Sequence, residues 1–317
     1  MIKDWQIASA AALVVGVVAI VLTPLSRDDH AGKRVVESSR IESSQTASLS
    51  VPDEDSVFPS GGGAPSTAKG SRPLPVALKF HEPVPLPGEV PIRVPILMYH
   101  HIRKIVPSLT RSEVITSVSP ANFERQMKEV ADAGYTTITP NELRAAIKYK
   151  VSLPRKPVLI TFDDGYRNQY DAAFPILKKY GLKATFFVIT DYGSKSGYLT
   201  DAMIQELDAS GIITIASHTR HHAWLTAVGR ATEIDEIEGS KQYLERLLGH
   251  PVPAFAYPYG SLNAKAVDLV KDAGYSIGFS AQAGSLHMPS TLLKLRRIRV
   301  LNSENVVTLL KRVMGGS

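Results

Sequence analysis

The stretch Val158–Asn168 reads VLITFDDGYRN. Five residues suited to a buried strand, VLITF, run directly into two adjacent carboxylates and a glycine. A short continuous apolar run rich in β-branched and aromatic residues suits a strand covered on both faces, as in a parallel sheet. Neighbouring residues of an extended chain point to opposite sides. Asp163 and Asp164 therefore face different surroundings and serve different ends. Gly165 lets the backbone turn sharply and leaves room for a ligand. Taken alone, Asp-Asp-Gly reads equally well as a helix N-cap or an Asp-Gly turn, so its surroundings decide.

Outward from this stretch, from Arg93 onward, strand-like runs alternate with helical ones. The strands are RVPILMYH, YTTIT, PVLITF, ATFFVIT, GIITIAS, PAFAY, YSIGF and KLRRIRV. Amphipathic stretches such as NFERQMKEVADAG, YDAAFPILKKYG and AKAVDLVKDAG lie between them. Gly134, Gly181, Gly211 and Gly274 mark points where a helix ends and a strand follows, as a left-handed helix cap does. Repeated βα units predict a parallel sheet. Eight strands fit a closed or nearly closed β/α barrel better than an open sheet, and in such barrels chemistry sits at the C-terminal strand ends.

Three strand ends carry titratable groups. PILMY runs into His100-His101, PVLITF into Asp163-Asp164, and IITIAS into HTRHH. Five of the nine histidines lie in these clusters. On one helical turn, the spacing of His218 and His222 predicts two imidazoles on one face, as a shared metal ion requires; His221 is the competing partner. One of the two aspartates can complete a two-His, one-carboxylate site with open coordination positions, and the other can face substrate as a general base. A solvated polar loop is the plain alternative for HTRHH.

The rest of the chain bounds the setting. No cysteine is present, so any metal is held by His, Asp or Glu. The net charge of +6, with 36 basic against 30 acidic residues, has no dense basic run with interleaved aromatics, which argues against nucleic acid as a partner. Trp5–Leu25 contains no charged residue, and at 1.5 Å per residue it spans a bilayer core of about 30 Å. With Trp5 as an interfacial anchor, residues 1–26 read as an uncleaved transmembrane helix in preference to a cleaved signal peptide. Residues 27–91 are rich in Ser, Gly and Pro and read as a disordered tether. Residues 92–317 read as the folded domain, expected outside the cytoplasm; the flanking charges alone, Lys3 on one side and Arg27, Lys33 and Arg34 diluted by Asp28 and Asp29 on the other, do not set the orientation.

TFDDGY, SHTRHH and FAYPYG, in this order and spacing, resemble the first three motifs of the polysaccharide deacetylases, the NodB-homology carbohydrate esterases. The resemblance covers residues 93 to about 300. It implies a distorted or incomplete (β/α) barrel and one divalent metal ion, Zn²⁺ by preference. It also implies Asp163 as catalytic base and Asp164, His218 and His222 as metal ligands, leaving His221 outside. The implied substrate is a polysaccharide with N-acetylglucosamine units. The family's third motif often carries an arginine where Ala256 stands here. That arginine orients the catalytic aspartate, and LRRIRV offers Arg296, Arg297 and Arg299, with Arg297 chosen. The rest of the motif leaves the Tyr259 amide as an oxyanion donor. The general acid is either His287 in SLHMPS or His100. The early VPILMYHHI resembles the poly-N-acetylglucosamine deacetylase branch and selects His100, with His101 turned away. Tyr166, Tyr257 and Trp224 are candidate sugar contacts, as is Tyr192. The implied reaction is hydrolysis of an N-acetyl group, with poly-β-1,6-N-acetylglucosamine favoured over peptidoglycan or chitin oligomers. A non-catalytic glycan-binding protein on the same fold is the rival from another class. A glycosidase would need facing carboxylates about 5–5.5 Å apart if retaining, which adjacent strand residues do not provide.

Overall fold

The computed structural model describes residues 82–315. The predicted transmembrane helix and nearly all of the predicted tether lie outside these residues. Among the described residues, no helix is long and apolar enough to cross a membrane.

Seven strands form the sheet: β1 (Ile96–Tyr99), β2 (Pro157–Phe162), β3 (Ala184–Val188), β4 (Ile213–Ser217), β5 (Ala254–Ala256), β6 (Ile277–Ala283) and β7 (Leu295–Arg299). They follow the order β1-β7-β6-β5-β4-β3-β2, and β2 pairs back onto β1. Every pairing is parallel. The barrel is therefore closed, not incomplete. Closure satisfies edges that an open sheet would leave unpaired.

The ring is nonetheless distorted. β4 and β5 share one registered pair, Ser217 with Phe255. The register of β6 on β7 slips between Phe279 and Ala283. The predicted eighth strand, YTTIT, supplies just Thr136–Thr137, which pair with Pro157–Val158 at the start of β2. There it takes the position beside β2 before β3 joins at Thr161, and Thr137 Oγ1 accepts from the Lys183 amide at 2.8 Å. Thr136–Thr137 thus acts as a wedge rather than a full stave.

Helices pack around the ring. The principal ones are α1 (Pro120–Asp132), α2 (Pro140–Tyr149), α3 (Phe174–Tyr180), α4 (Asp201–Ala209), α5 (Ser240–Leu248), α6 (Ala264–Asp272) and α7 (Val306–Gly315). α1 buries Phe123, Gln126, Met127 and Val130, a 3.6-residue stripe. Proline at the first turn and a Ser119 cap start it. The four helix-ending glycines all have positive φ, between 64° and 83°.

Strand alternation sorts the core into layers. Ile96, Leu159, Phe187, Ala216, Ala254, Ala256, Ile277, Phe279 and Leu295 pack together inside the ring, joined by Leu143 and Ile147 of α2. Their neighbours Leu97, Ile160, Phe162, Phe186, Val188, Ile215 and Ile298 pack outward against Phe123, Met127, Leu177, Leu207 and Leu309. Phe255 and Tyr257 likewise face outward, onto Ala266, Leu269 and Val270 of α6. This period of two decides which residues reach the top of the barrel.

Candidate active site

Extending the inward rows upward assembles the site. Leu159 and Thr161 lead to Asp163, Leu295 leads to Arg297, Ile96 and Met98 lead to His100, and Ala216 leads to His218. Arg297 is 1% exposed and grips Asp163 with both ends of its guanidinium, Nη1 to Oδ1 at 2.6 Å and Nη2 to Oδ2 at 2.7 Å. Its Nε donates to Ser280 O at 2.9 Å, and Nη1 also reaches Thr161 Oγ1 at 3.2 Å. A planar fork matched to a carboxylate is the geometry for which arginine has no substitute. Burial pushes the Asp163 carboxyl up, but the Arg297 charge and hydrogen bonds, together with the neighbouring His218 and His100, hold the group below its ordinary value.

Asp164 leaves the strand direction at once. Its φ of 74° is left-handed, and Gly165 follows at 69°. A side chain at Gly165 would meet Val188 at 3.2 Å. The turn swings the Asp164 carboxylate to His218 Nε2 at 3.3 Å and His222 Nε2 at 3.2 Å. One donor atom from each of the three residues lies within 4.8 Å of the others. His218 Nδ1 is 2.8 Å from Ala256 O. A carbonyl only accepts, so Nδ1 carries the proton and the Nε2 lone pair faces the cluster. Burial raises the Asp164 carboxyl, and the two imidazoles pull it well below its ordinary value. Two imidazole nitrogens and one carboxylate oxygen, all largely buried, fit a divalent ion of zinc type.

The loop that carries the imidazoles is not the helical turn predicted. Residues 218–222 are irregular, with Thr219 at φ 66° and His222 at φ 60°. His221 turns aside to Glu236 Oε1 at 2.8 Å and Asp191 Oδ2 at 3.2 Å. Of the six non-glycine residues with positive φ among the described residues, Asp164, Thr219, His222 and Tyr259 stand in or beside this cluster. Such strain persists only where surrounding contacts over-determine it, and it gathers at functional sites.

A cleft of about 220 Å³ opens over the cluster, lined by His100, His101, Ser112, Glu113, Thr116, Asp164, Tyr166, His222 and Tyr259. Burial and the Arg299 charge push His100 down to about 4, against Asp164 and Asp163. Its Nδ1 is buried without a hydrogen-bond partner. His101 does not turn away. Its ring stacks on Tyr166 at 3.6 Å, Asn168 Nδ2 lies 3.0 Å from its Nδ1, and it lines the same cleft. Trp224 stacks on Tyr259 at 5.1 Å, and Tyr259 lies 4.4 Å from the His222 ring. Three sequence candidates fall elsewhere. Tyr257 is 1% exposed and donates to Leu293 O, because it lies one residue out of phase with inward-facing Ala256. His287 is fully buried and bonds Val94 O at 2.9 Å. Tyr192 donates to His221 O from outside the cleft.

Sequence reasoning missed Gln169, Asp191 and Glu236. Buried Gln169 donates to both His100 O and Asp163 O, tying two strand ends together. A larger depression of about 770 Å³ runs past Asp191, Arg220 and Tyr243. The chemistry is assigned to the smaller cleft, since the metal-type donors and the strained backbone converge there.

Comparisons with known proteins point to one family. A family model described as polysaccharide deacetylase matches residues 150–278. YxkH of Bacillus subtilis, a candidate polysaccharide deacetylase, is 34% identical over 212 residues, 67% of this chain and 73% of its own. The poly-β-1,6-N-acetyl-D-glucosamine N-deacetylase of Staphylococcus epidermidis is 30% identical over 231 residues, covering 65% and 78%. The structure of Streptococcus pyogenes deacetylase PplD in complex with acetate superposes with a TM-score of 0.65 at 31% identity, covering 71% of this chain and 99% of that one. Likeness of this extent, carried by the same stretch that builds the strand-end cluster, makes the chain a member of the polysaccharide deacetylase family of hydrolases.

Proposed function

We propose that the protein hydrolyses N-acetyl groups from N-acetylglucosamine units of an extracytoplasmic polysaccharide, with poly-β-1,6-N-acetylglucosamine as the preferred polymer. The observation that carries this is the Arg297–Asp163 pair standing beside the Asp164–His218–His222 cluster at one end of the barrel. The polymer choice rests on the early histidine stretch and on the name of the Staphylococcus epidermidis relative. The tethered setting rests on the uncharged run Trp5–Leu25, and the extracytoplasmic side on the class of polymer proposed.

Asp164, His218 and His222 would hold the ion, which supplies an acidified water and polarises the acyl oxygen when bound. Asp163 takes the water's proton on its carboxylate, and Arg297 keeps that carboxylate aimed and ionised until then. The Tyr259 backbone N–H donates to the acyl oxygen as its negative charge grows. His100 protonates the departing nitrogen, because an amine anion is too poor a leaving group. With His100 pushed down to about 4, it is neutral in the free site at neutral pH. It therefore receives the proton before delivering it.

The test is acetate release from β-1,6-linked N-acetylglucosamine oligomers by the full-length protein, with Zn²⁺ and with chelator. Metal-dependent release that disappears in Asp163→Asn supports the proposal. Release from chitin oligomers or peptidoglycan but not from the β-1,6 polymer overturns the polymer. Bound metal with no acetate from any of them leaves a glycan-binding protein.

A further inference from the structure

The two histidines of the cluster sit on a loop whose shape local sequence does not favour. Thr219 and His222 both occupy left-handed backbone conformations, and for non-glycine residues these cost about 1–3 kcal/mol each. The loop's amide hydrogens show what holds it. His218 N bonds Val188 O, Thr219 N bonds Ser217 Oγ, and His222 N bonds Thr219 Oγ1. The two between them, Arg220 N and His221 N, both donate to one atom, Oε2 of Glu236, at 3.0 and 2.9 Å. Consecutive amides converging on one anion form a backbone nest. Here the anion is a buried side chain, its residue 3% exposed, delivered from another element.

Glu236 comes from a single π-helical turn, Asp235–Gly239, between the helical segments Arg230–Ile234 and α5. That turn meets the loop in two further ways. Asp235 binds the Arg220 guanidinium at 2.8 and 2.6 Å, opposite Asp191. Gly239 lies so close that a Cβ there would stand 2.7 Å from Arg220 Cδ. An extra residue in a helix rotates the side chains beyond it, and such π turns recur at functional sites.

We infer that Glu236 is a positioning residue for the metal centre: the π turn Asp235–Gly239 sets the separation of His218 and His222 by anchoring the backbone between them. The inference rests on the metal-site reading under Proposed function. The experiment is Zn²⁺ affinity of the folded full-length protein, by competition with a chromophoric chelator, alongside the Tm in excess chelator. Glu236→Ala is expected to weaken Zn²⁺ by about 10- to 100-fold, as losing a partner behind the ligands does. Glu236→Gln, which keeps one acceptor oxygen, is expected to fall between it and the wild type. If the alanine variant does not fold, the glutamine variant carries the comparison. A lowered Tm with wild-type Zn²⁺ affinity in the folded variants makes Glu236 merely structural and overturns the inference. A wild-type protein that binds no Zn²⁺ overturns the metal-site reading beneath it, a result distinct from unchanged affinity in the variants.

Discussion

Replacing Arg297 with methionine would leave Asp163 buried, charged and unopposed. Arg297 is 1% exposed and Asp163 3%, and two contacts of 2.6 and 2.7 Å join them. Breaking such a pair from one side costs about 3–5 kcal/mol, since the remaining charge keeps its desolvation penalty and loses its partner. In a domain of this size each kcal/mol moves Tm by about 2–4 °C, so the expected drop is about 6–20 °C. The pH dependence follows from the same pair. Asp163 is held below its unfolded value, so its stabilisation is present above the ordinary carboxylate range and disappears as pH falls through the folded value. Arg297→Met should flatten that acid limb. Adding Asp163→Asn removes the orphaned charge, so the double variant should recover much of the lost Tm while remaining inactive. Thermal unfolding in chelator and acetate release would be measured together on the full chain. A single variant as stable as wild type, or a double variant no better than the single, would refute the reasoning.

Other substitutions test other parts. His287 is buried and pushed down to about 4; the unfolded chain binds its proton first, so stability falls from about pH 6.5 toward 4 by roughly 3 kcal/mol, and acid titration of His287→Gln should lack that slope. Tyr257→Phe removes one bond to Leu293 O and should lower stability by about 1 kcal/mol while leaving KM for oligomers unchanged; a raised KM would return Tyr257 to the sugar site. Gly260→Ala puts a methyl 2.8 Å from Ala281 at φ 67° beside Tyr259, and its kcat should fall even in protein that remains folded. Ala256→Arg, restoring the residue common in the family, adds a second guanidinium to a fully buried inward position and should destabilise by about 3 kcal/mol or more, read as a lowered Tm.

Much of this architecture is legible in the order of the residues. The period-two alternation of PVLITFD puts Asp163 on the same side as Leu159, and that of LRRIR puts Arg297 with Leu295 and Arg296 on the other face. The same parity in AFAY sets Tyr257 against Ala256, so its burial under α6 is open to a stricter count. These are local consequences of backbone geometry, fixed by neighbours in the chain. The three donor residue types of the metal-type cluster are likewise readable from strand-end position.

Tertiary structure decided what depends on closure and on backbone states that sequence does not favour. Arg297 meets Asp163 because β7 pairs with β1 and β1 with β2; no local signal joins residues so far apart in the chain. The wedge at Thr136–Thr137 arises because β3 joins β2 only from Thr161, leaving its first residues to another partner. His222 reaches Asp164 through left-handed turns that helical spacing does not describe, held by a carboxylate from a distant π turn. A strand's alternation belongs to its own residues, but the identity of the side chain opposite belongs to the ring.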